Sequence, residues 1–301
     1  TNYEHEFTND SYIDLGDGIR FPTVWHSHTG WDDNYQAQSI NAGHNAYGGQ
    51  QGNIQANVCA DPVTVPASVR RASFPLRVDI EELAEGVWLF GGASHNSVVV
   101  EFEDYIAVVE APLDEKRNLA VLDEIVKLIP DKPVRFLINT HQHHDHIGGL
   151  RTYMHIGATI ITHWKNYDFY TRDLLNYAPR TLEPDMLSLW PPTELAEGYQ
   201  YETVRENYVL TDNRRNLEIS YVHPLAHVEG MLVAYLPEEK ILIEADLFDA
   251  PLNGEPLPAI ANAANRSLYN HVLRLGLEVD TIVPIHGQAV SWDDFLRLVG
   301  P

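Results

Sequence analysis

The sequence predicts an α/β protein in which two β-sheets form a sandwich and helices cover both outer faces. Short β-branched runs separated by turn residues alternate with helical segments between residues 76 and 163. A second β-rich half with two further helical segments follows from residue 201. The apolar fraction of 44% is ordinary for a chain with a packed core. Two successive halves, each with strands followed by helices, are typical of this fold class.

The first half predicts a meander of strands, then a helix, a strand, a helix and a strand. Asp114 is a suitable N-cap, and Pro130 stops the helix that begins after it. The next helix begins near Gly148, after a buried strand and a loop. The predicted strands of this half are 86–90, 96–102, 105–110, 134–140 and 159–163.

The second half predicts a further sheet and two helices, one at 263–275 and one from Ser291. Its predicted strands are 201–211, 216–224, 230–237, 240–246 and 280–287. Residues 164–200 interrupt the pattern with a predicted helix at 164–177 and a proline-rich linker. We expect this insertion to lie near a substrate cleft, because long connections between elements commonly carry binding sites.

Residues 1–75 differ in character from the domain predicted for 76–301. The stretch from Trp31 to Cys59 is rich in Asn, Gln and Gly and has no sustained periodicity, which predicts an irregular extension. Its aromatic residues indicate an arm over 20–60 that contacts a partner subunit in a homodimer or covers a pocket. A solvated surface loop is the alternative.

Charge and cysteine content exclude several classes of protein. The chain has 43 Asp and Glu against 20 Lys and Arg, a net charge of −23, which disfavours nucleic acid and anionic membranes as partners. A small-molecule substrate remains compatible with this charge. Cys59 is the only cysteine, so any bound metal must be held by histidine and carboxylate. No apolar run is long enough to span a membrane, and a start at Thr1 without Met indicates processing, which favours a periplasmic or secreted protein.

The segment His141-Gln-His-His-Asp-His146 follows the predicted strand 134–140 directly. Four imidazoles and a carboxylate within six residues at a strand end are unsuited to core packing, and they are good ligands for zinc. In an extended stretch His141 and His143 project to one side and can share one ion, while Asp145 and His146 can reach a second.

This segment resembles the H-x-H-x-D-H signature of the metallo-β-lactamase-fold superfamily. His227, Asp246 and His286, each near a predicted strand end, match the remaining metal positions of that family in order. The resemblance implies a four-layer αββα sandwich over residues 76–301, with residues 1–75 as an irregular N-terminal extension of the kind found in exported members.

The resemblance also implies the roles of these residues. His141, His143 and His227 would bind one zinc, and the other would be bound by Asp145, His146 and His286. Asp246 would bridge the two ions, with iron or manganese as alternative metals. Two such ions generate a bridging hydroxide near neutral pH. Asp145 and Asp246 are the expected catalytic residues, and His144 and His223 are candidates for supporting positions near the ligands.

The implied activity is metal-dependent hydrolysis of a small-molecule ester, lactone or cyclic amide. Asp246 favours lactonase-like chemistry, since true β-lactamases of the family commonly carry Cys or Ser there. β-Lactamase, phosphodiesterase and sulfatase activities at the same site stay open. A mononuclear iron enzyme like the persulfide dioxygenases and a non-catalytic metal-binding scaffold are alternatives from other classes, which metal analysis distinguishes.

Overall fold

The computed structural model describes residues 3–16, 19–31, 39–44, 46–47, 50–51, 67, 76–178, 180, 184–191, 199–225, 227–251 and 255–300. The chain divides into two compact units, Thr1–Pro75 and Leu76–Pro301. Within the described ranges, we find no helix whose length and apolar character would let it cross a bilayer.

The first unit contains more regular structure than the sequence predicted. β1 (Tyr3–Gly16), β2 (Ile19–Trp31) and β3 (Ser39–His44) form an antiparallel sheet, and β4 (Ala46–Tyr47) pairs with β5 (Gln50–Gln51). The expected irregular extension is therefore wrong for these ranges. An Asp-Gly pair, a hairpin signal, separates β1 from β2 in the sequence. The aromatic side chains of the predicted dimer arm lie outside the described residues.

The second unit contains a seven-stranded sheet in the order β12-β11-β10-β9-β8-β7-β6. The strands on the β6 side pair antiparallel, and β9 to β12 pair parallel. Its strands are β6 (Asp79–Ala84), β7 (Val87–Gly91), β8 (Ser97–Glu101), β9 (Ile106–Val109), β10 (Val134–Ile138), β11 (Thr159–His163) and β12 (Tyr201–Val204).

A six-stranded sheet in the order β13 to β18 lies against it, antiparallel except for the parallel pair β16 and β17. Its strands are β13 (Asn207–Thr211), β14 (Asn216–Tyr221), β15 (Leu232–Leu236), β16 (Ile241–Glu244), β17 (Thr281–Pro284) and β18 (Val290–Ser291). The predicted strand 201–211 is therefore two strands, one in each sheet. The chain changes sheets at Arg205–Glu206.

Five α-helices are described, and three hydrophobic clusters separate the layers. The helices are α1 (Glu115–Leu128), α2 (Leu150–His155), α3 (Met186–Leu189), α4 (Ala263–Leu275) and α5 (Trp292–Val299). One cluster lies between the sheets, a second joins the seven-stranded sheet to α1 and α2, and a third joins the six-stranded sheet to α4 and α5. Val98 and Val100 enter the first cluster while Val99 enters the second, as alternation along a strand requires. The layers are thus α, β, β, α, as predicted.

The predicted helix at 164–177 differs in type from the expectation. Trp164–Asn166 forms a 3₁₀ turn and Phe169–Leu174 a π-helix. The wider turn accompanies a buried contact, because the Tyr170 hydroxyl donates to the side-chain oxygen of Asn139 in the core. Of the insertion residues, Leu174, Arg180 and their neighbours at 184–185 border a cavity of about 400 Å³ beside the loop that contains Gly148.

Candidate metal centre

The predicted histidine motif forms a loop directly after β10, and close backbone contacts fix its path. Leu113 N donates to Asp145 O over 2.8 Å, and Gly149 N donates to Ala111 O over 2.9 Å. A Cβ added to Gly148 would lie 1.8 Å from Leu113 O, so only glycine permits this approach. The loop is therefore held against the segment that follows β9.

A first group of candidate ligand atoms comes from both sheets: His141, His143, His227 and Asp246, all within 4.8 Å of one another. The Oδ2 atom of Asp246 lies 3.0 Å from His227 Nε2 and 3.4 Å from His141 Nε2. The same oxygen is 4.0 Å from His143 Nδ1. The three imidazoles that the family resemblance assigned to one ion therefore surround one carboxylate oxygen.

A second group consists of His95, Asp145, His146 and His286, whose candidate ligand atoms also lie within 4.8 Å of one another. His146 Nε2 is 3.3 Å from His286 Nε2 and 3.9 Å from Asp145 Oδ2. His95 was not predicted as a ligand, and its Nε2 atom lies 3.2 Å from Asp145 Oδ2.

Asp246 stands between the two groups. Its Oδ2 atom faces the first group, and its Oδ1 atom lies 2.8 Å from His286 Nε2 and 3.1 Å from His146 Nε2. The residue has a φ of 60°, in the left-handed region, at the sharp turn after β16. Buried Glu244 stabilises that turn by accepting hydrogen bonds from the Leu247 and Phe248 amides. The seven predicted ligands are thus brought together, with Asp246 between the two groups.

Buried partners orient the histidine rings. The Glu110 Oε2 atom lies 2.7 Å from His146 Nδ1, and Oε1 accepts a hydrogen bond from Thr140 N. Thr140 Oγ1 lies 3.0 Å from His141 Nδ1. Each contact leaves the Nε2 atom of the ring directed at the cluster. Sequence reasoning missed Glu110; the available signal was a lone acidic residue directly after the apolar strand β9.

Burial and neighbouring charges separate the pKa values of the histidines. Burial lowers the pKa of His141 to about 4, which keeps its ring neutral. Burial also acts to lower the pKa of His146, but the nearby carboxylates of Glu110 and Asp246 together outweigh it and raise that pKa to about 10. Burial acts to raise the pKa of Asp246, but its close contacts with the surrounding imidazoles outweigh that effect and lower it. Burial and the nearby His286 lower the pKa of His95.

The arrangement fits divalent metal ions better than a network of hydrogen bonds. The buried atoms His227 Nε2 and Asp246 Oδ1 have no hydrogen-bond partner among the described residues, although each lies within 3.0 Å of another candidate ligand. Their angles are therefore not those of hydrogen bonds. Ligands held 2.0–2.1 Å from one tetrahedral ion lie about 3.3 Å apart. Several separations in the cluster are close to this value, as expected for atoms directed at a shared ion.

The two candidate supporting histidines lie in different surroundings. The His144 side chain is 97% exposed and has its Nδ1 atom 3.7 Å from Asp145 Oδ1. His223 pairs with Glu206 over 3.2 Å and lies beside the Tyr221 ring. Among the described contacts of His223, none is to a predicted ligand.

A cleft of about 510 Å³ opens over the cluster. Asp145, Asp246, His227 and His286 line it together with Asp249 and the first turn of α4. The described lining contains no lysine or arginine. A small molecule can therefore reach both groups of candidate ligands from one side.

An αββα sandwich with a His/Asp cluster at the strand ends of both sheets defines a class of metal-dependent hydrolases. The chain belongs to the metallo-beta-lactamase superfamily, whose sequence pattern matches residues 90–286. The family and fold predicted from the sequence are thereby confirmed.

Solved structures share the fold. A metallo-beta-lactamase from Pontibacter korlensis has a TM-score of 0.55 and 16% identity, covering 73% of this chain and 96% of that one. The DIM-1 metallo-beta-lactamase has a TM-score of 0.53 and 20% identity, covering 72% and 93%. A curated relative, the linear primary-alkylsulfatase of a Pseudomonas species, is 21% identical over 64% of this chain. The match spans 41% of the length of that relative.

Proposed function

We propose that this protein is a binuclear metallo-hydrolase that cleaves a small-molecule ester, lactone or cyclic amide. The observation that carries the proposal is the position of Asp246, whose Oδ2 atom faces His227 at 3.0 Å and whose Oδ1 atom faces His286 at 2.8 Å. One carboxylate between two sets of imidazoles is suited to two ions that share a ligand. We expect zinc at the first position and zinc, iron or manganese at the second.

When bound, two such ions supply a hydroxide nucleophile at neutral pH and polarise the oxygen of the bond to be cleaved. The residues of the chain orient the reactants. Asp145 is the partly exposed carboxylate of the cluster and lines the cleft. It is therefore placed to accept a proton from the attacking water and to pass it to the leaving group.

The lining of the cleft supports a small substrate without an extra anionic group. Asp249 is an exposed residue of the lining, which also includes Asn262 and Ala263. A carboxylate at this position repels anions over distances shorter than a Debye length of about 10 Å. Neutral esters and lactones meet no such penalty.

Sulfate-ester hydrolysis is the second candidate. The observation in its favour is the curated relative, an alkylsulfatase, which resembles this chain in sequence. Sulfate esters place their charge at the reacting group, where the ions would lie, and not beside Asp249. A bound pair of divalent cations compensates such a charge.

The experiment is a substrate screen of the metal-loaded enzyme with Asp246→Asn as the inactive variant. Aryl esters, lactones, β-lactams, phosphodiesters and alkyl sulfates are compared, and bound metal is counted in the same samples. We expect two ions per chain and the highest kcat/KM with esters or lactones. Glu82→Gln, an exposed glutamate in β6, is the matched control and should retain full activity. A single iron per chain, or activity that survives in Asp246→Asn, would refute the proposal.

A further inference from the structure

His95 lies in the second ligand group, although it is not among the seven metal positions that the sequence resemblance implied. The residue is 7% exposed, and its Nε2 atom is 3.2 Å from Asp145 Oδ2. The centroids of the His95 and His286 rings are 4.0 Å apart. These separations are as short as those among the predicted ligands, for example the 3.3 Å between His146 and His286.

The loop that contains His95 is fixed to the strand end that contains His286. The Asn96 side-chain amide donates to Pro284 O over 3.1 Å and to Gly287 O over 2.7 Å. The Asn96 backbone amide donates to Ile285 O over 2.9 Å. Three hydrogen bonds therefore hold His95 beside His286. They connect the loop between β7 and β8 of the seven-stranded sheet to the end of β17 in the six-stranded sheet.

The orientation of the ring leaves one nitrogen for the cluster. Ser94 Oγ lies 2.9 Å from His95 Nδ1, so this atom is occupied by a local hydrogen bond. The Nε2 atom points at the space shared by Asp145, His146 and His286. Many metal-binding histidines hold their second nitrogen in this way.

We propose that His95 is an additional ligand of the ion at the second position. The inference rests on the proposed binuclear centre. With His95, that position offers three imidazoles, Asp145 and one oxygen of Asp246. Five protein donors suit a first-row divalent ion with a coordination number of five or six, such as Fe²⁺, Co²⁺ or Mn²⁺. The first position, with three imidazoles and one carboxylate oxygen, suits a tetrahedral ion such as Zn²⁺. The two positions therefore differ in their preferred geometry.

The alternative role of His95 is to donate a hydrogen bond to Asp145 without touching an ion. His95→Gln separates the two roles, because glutamine can donate to a carboxylate but has no imidazole nitrogen. His95→Ala removes both interactions. His155→Ala removes a histidine at the end of α2, outside both ligand groups, and serves as the control.

The experiment is a Co²⁺ titration of the metal-free full chain, followed by its visible absorption and by chelator competition, with circular dichroism to verify folding. We expect two equivalents to bind to wild type and to His155→Ala. In His95→Gln and His95→Ala the second equivalent should bind at least about 10-fold more weakly. The visible absorption of this second Co²⁺ ion should intensify, since its coordination number falls.

Unchanged affinity and spectrum for the second equivalent in His95→Gln would overturn the assignment of His95 as a ligand. Binding of fewer than two equivalents to wild type would instead refute the binuclear centre, so the two failures are distinguishable. If His95→Ala does not fold, His95→Gln alone decides, because glutamine retains the contact with Asp145. X-ray absorption then counts one fewer imidazole neighbour per chain in His95→Gln than in wild type.

Discussion

The Oε2 atom of Glu110 lies 2.7 Å from the Nδ1 atom of His146, and both side chains are completely buried. The contact determines which nitrogen of His146 faces the cleft and increases the basicity of the ring. Glu110 follows β9 directly and has a φ of 73°, in the left-handed region.

Glu110→Gln should lower the affinity of the second position for its ion by about 10–100-fold while the fold is retained. The amide has nearly the size of the carboxylate but carries no charge. Chelator competition measures the loss, and Glu82→Gln is the control at an exposed strand position. Wild-type affinity in Glu110→Gln would show that the carboxylate charge has no part in metal binding.

Asp246→Asn and His286→Ala should lose different numbers of ions. Asp246 faces both groups, so its loss should deplete both positions, whereas His286 belongs only to the second. Metal content after exhaustive dialysis should fall to near zero in Asp246→Asn and to about half in His286→Ala. Equal depletion in the two variants would contradict the division of the ligands.

The metal-free protein should lose stability as the pH falls from about 6.5 to about 4, in part because of His271. Burial, followed by the charges of Arg274 and His223, lowers the pKa of His271 to about 4. The unfolded chain therefore binds the proton first, and the folded state is penalised as pH falls through this window. One pKa unit corresponds to 1.36 kcal/mol, so the full effect is about 3 kcal/mol.

Urea unfolding at several pH values in the presence of a chelator measures this effect. His271→Asn should flatten the pH dependence, because Ser220 keeps a polar partner but the titrating ring is gone. His155→Asn is the control. An unchanged slope in His271→Asn would refute the assignment.

Gly148→Ala should destabilise the fold by more than about 3 kcal/mol, a size seen where backbone atoms are forced apart in a packed region. The new Cβ would lie 1.8 Å from Leu113 O. Gly276→Ala provides the comparison, since Gly276 has open space around it and a φ of 64° at the end of α4. That variant should cost only about 1 kcal/mol. Denaturant unfolding measures both, and equal costs would show that the loop can move away from Leu113.

Much of the fold could be predicted because the strands of both sheets are short and strongly β-branched. The run Val98–Val100, for example, supplies side chains to two hydrophobic clusters and reads as a buried strand from sequence alone. The split of 201–211 could not be predicted, because both halves favour strands equally. Only packing against two different sheets determines the break at Arg205–Glu206. The Asp-Gly turn between β1 and β2 is a hairpin signal that the sequence contains. The prediction missed it because the polar stretch that follows determined the interpretation of the whole extension.

Part of the candidate site could likewise be predicted from the sequence, and part could not. The motif after β10 placed four ligand candidates next to one another in sequence, and three distant residues followed from the family pattern. His95 and Glu110 have no such signal. Each is a single residue at a strand end or loop, and its contact with the cluster depends on the strand order of the seven-stranded sheet. Spacing along the chain does not encode that order.

Because both sheets contribute to each ligand group, bound metals would also stabilise the fold. His146 and His286 are 140 residues apart in the chain, and an ion that they share closes that length into a loop. A covalent cross-link over about 100 residues stabilises a fold by roughly 4–5 kcal/mol through lost chain entropy. This chain has one cysteine and so cannot form an internal disulfide. Bound ions would stabilise the fold as such a bond does. Their removal by a chelator would destabilise it, as reduction destabilises a disulfide-bonded protein.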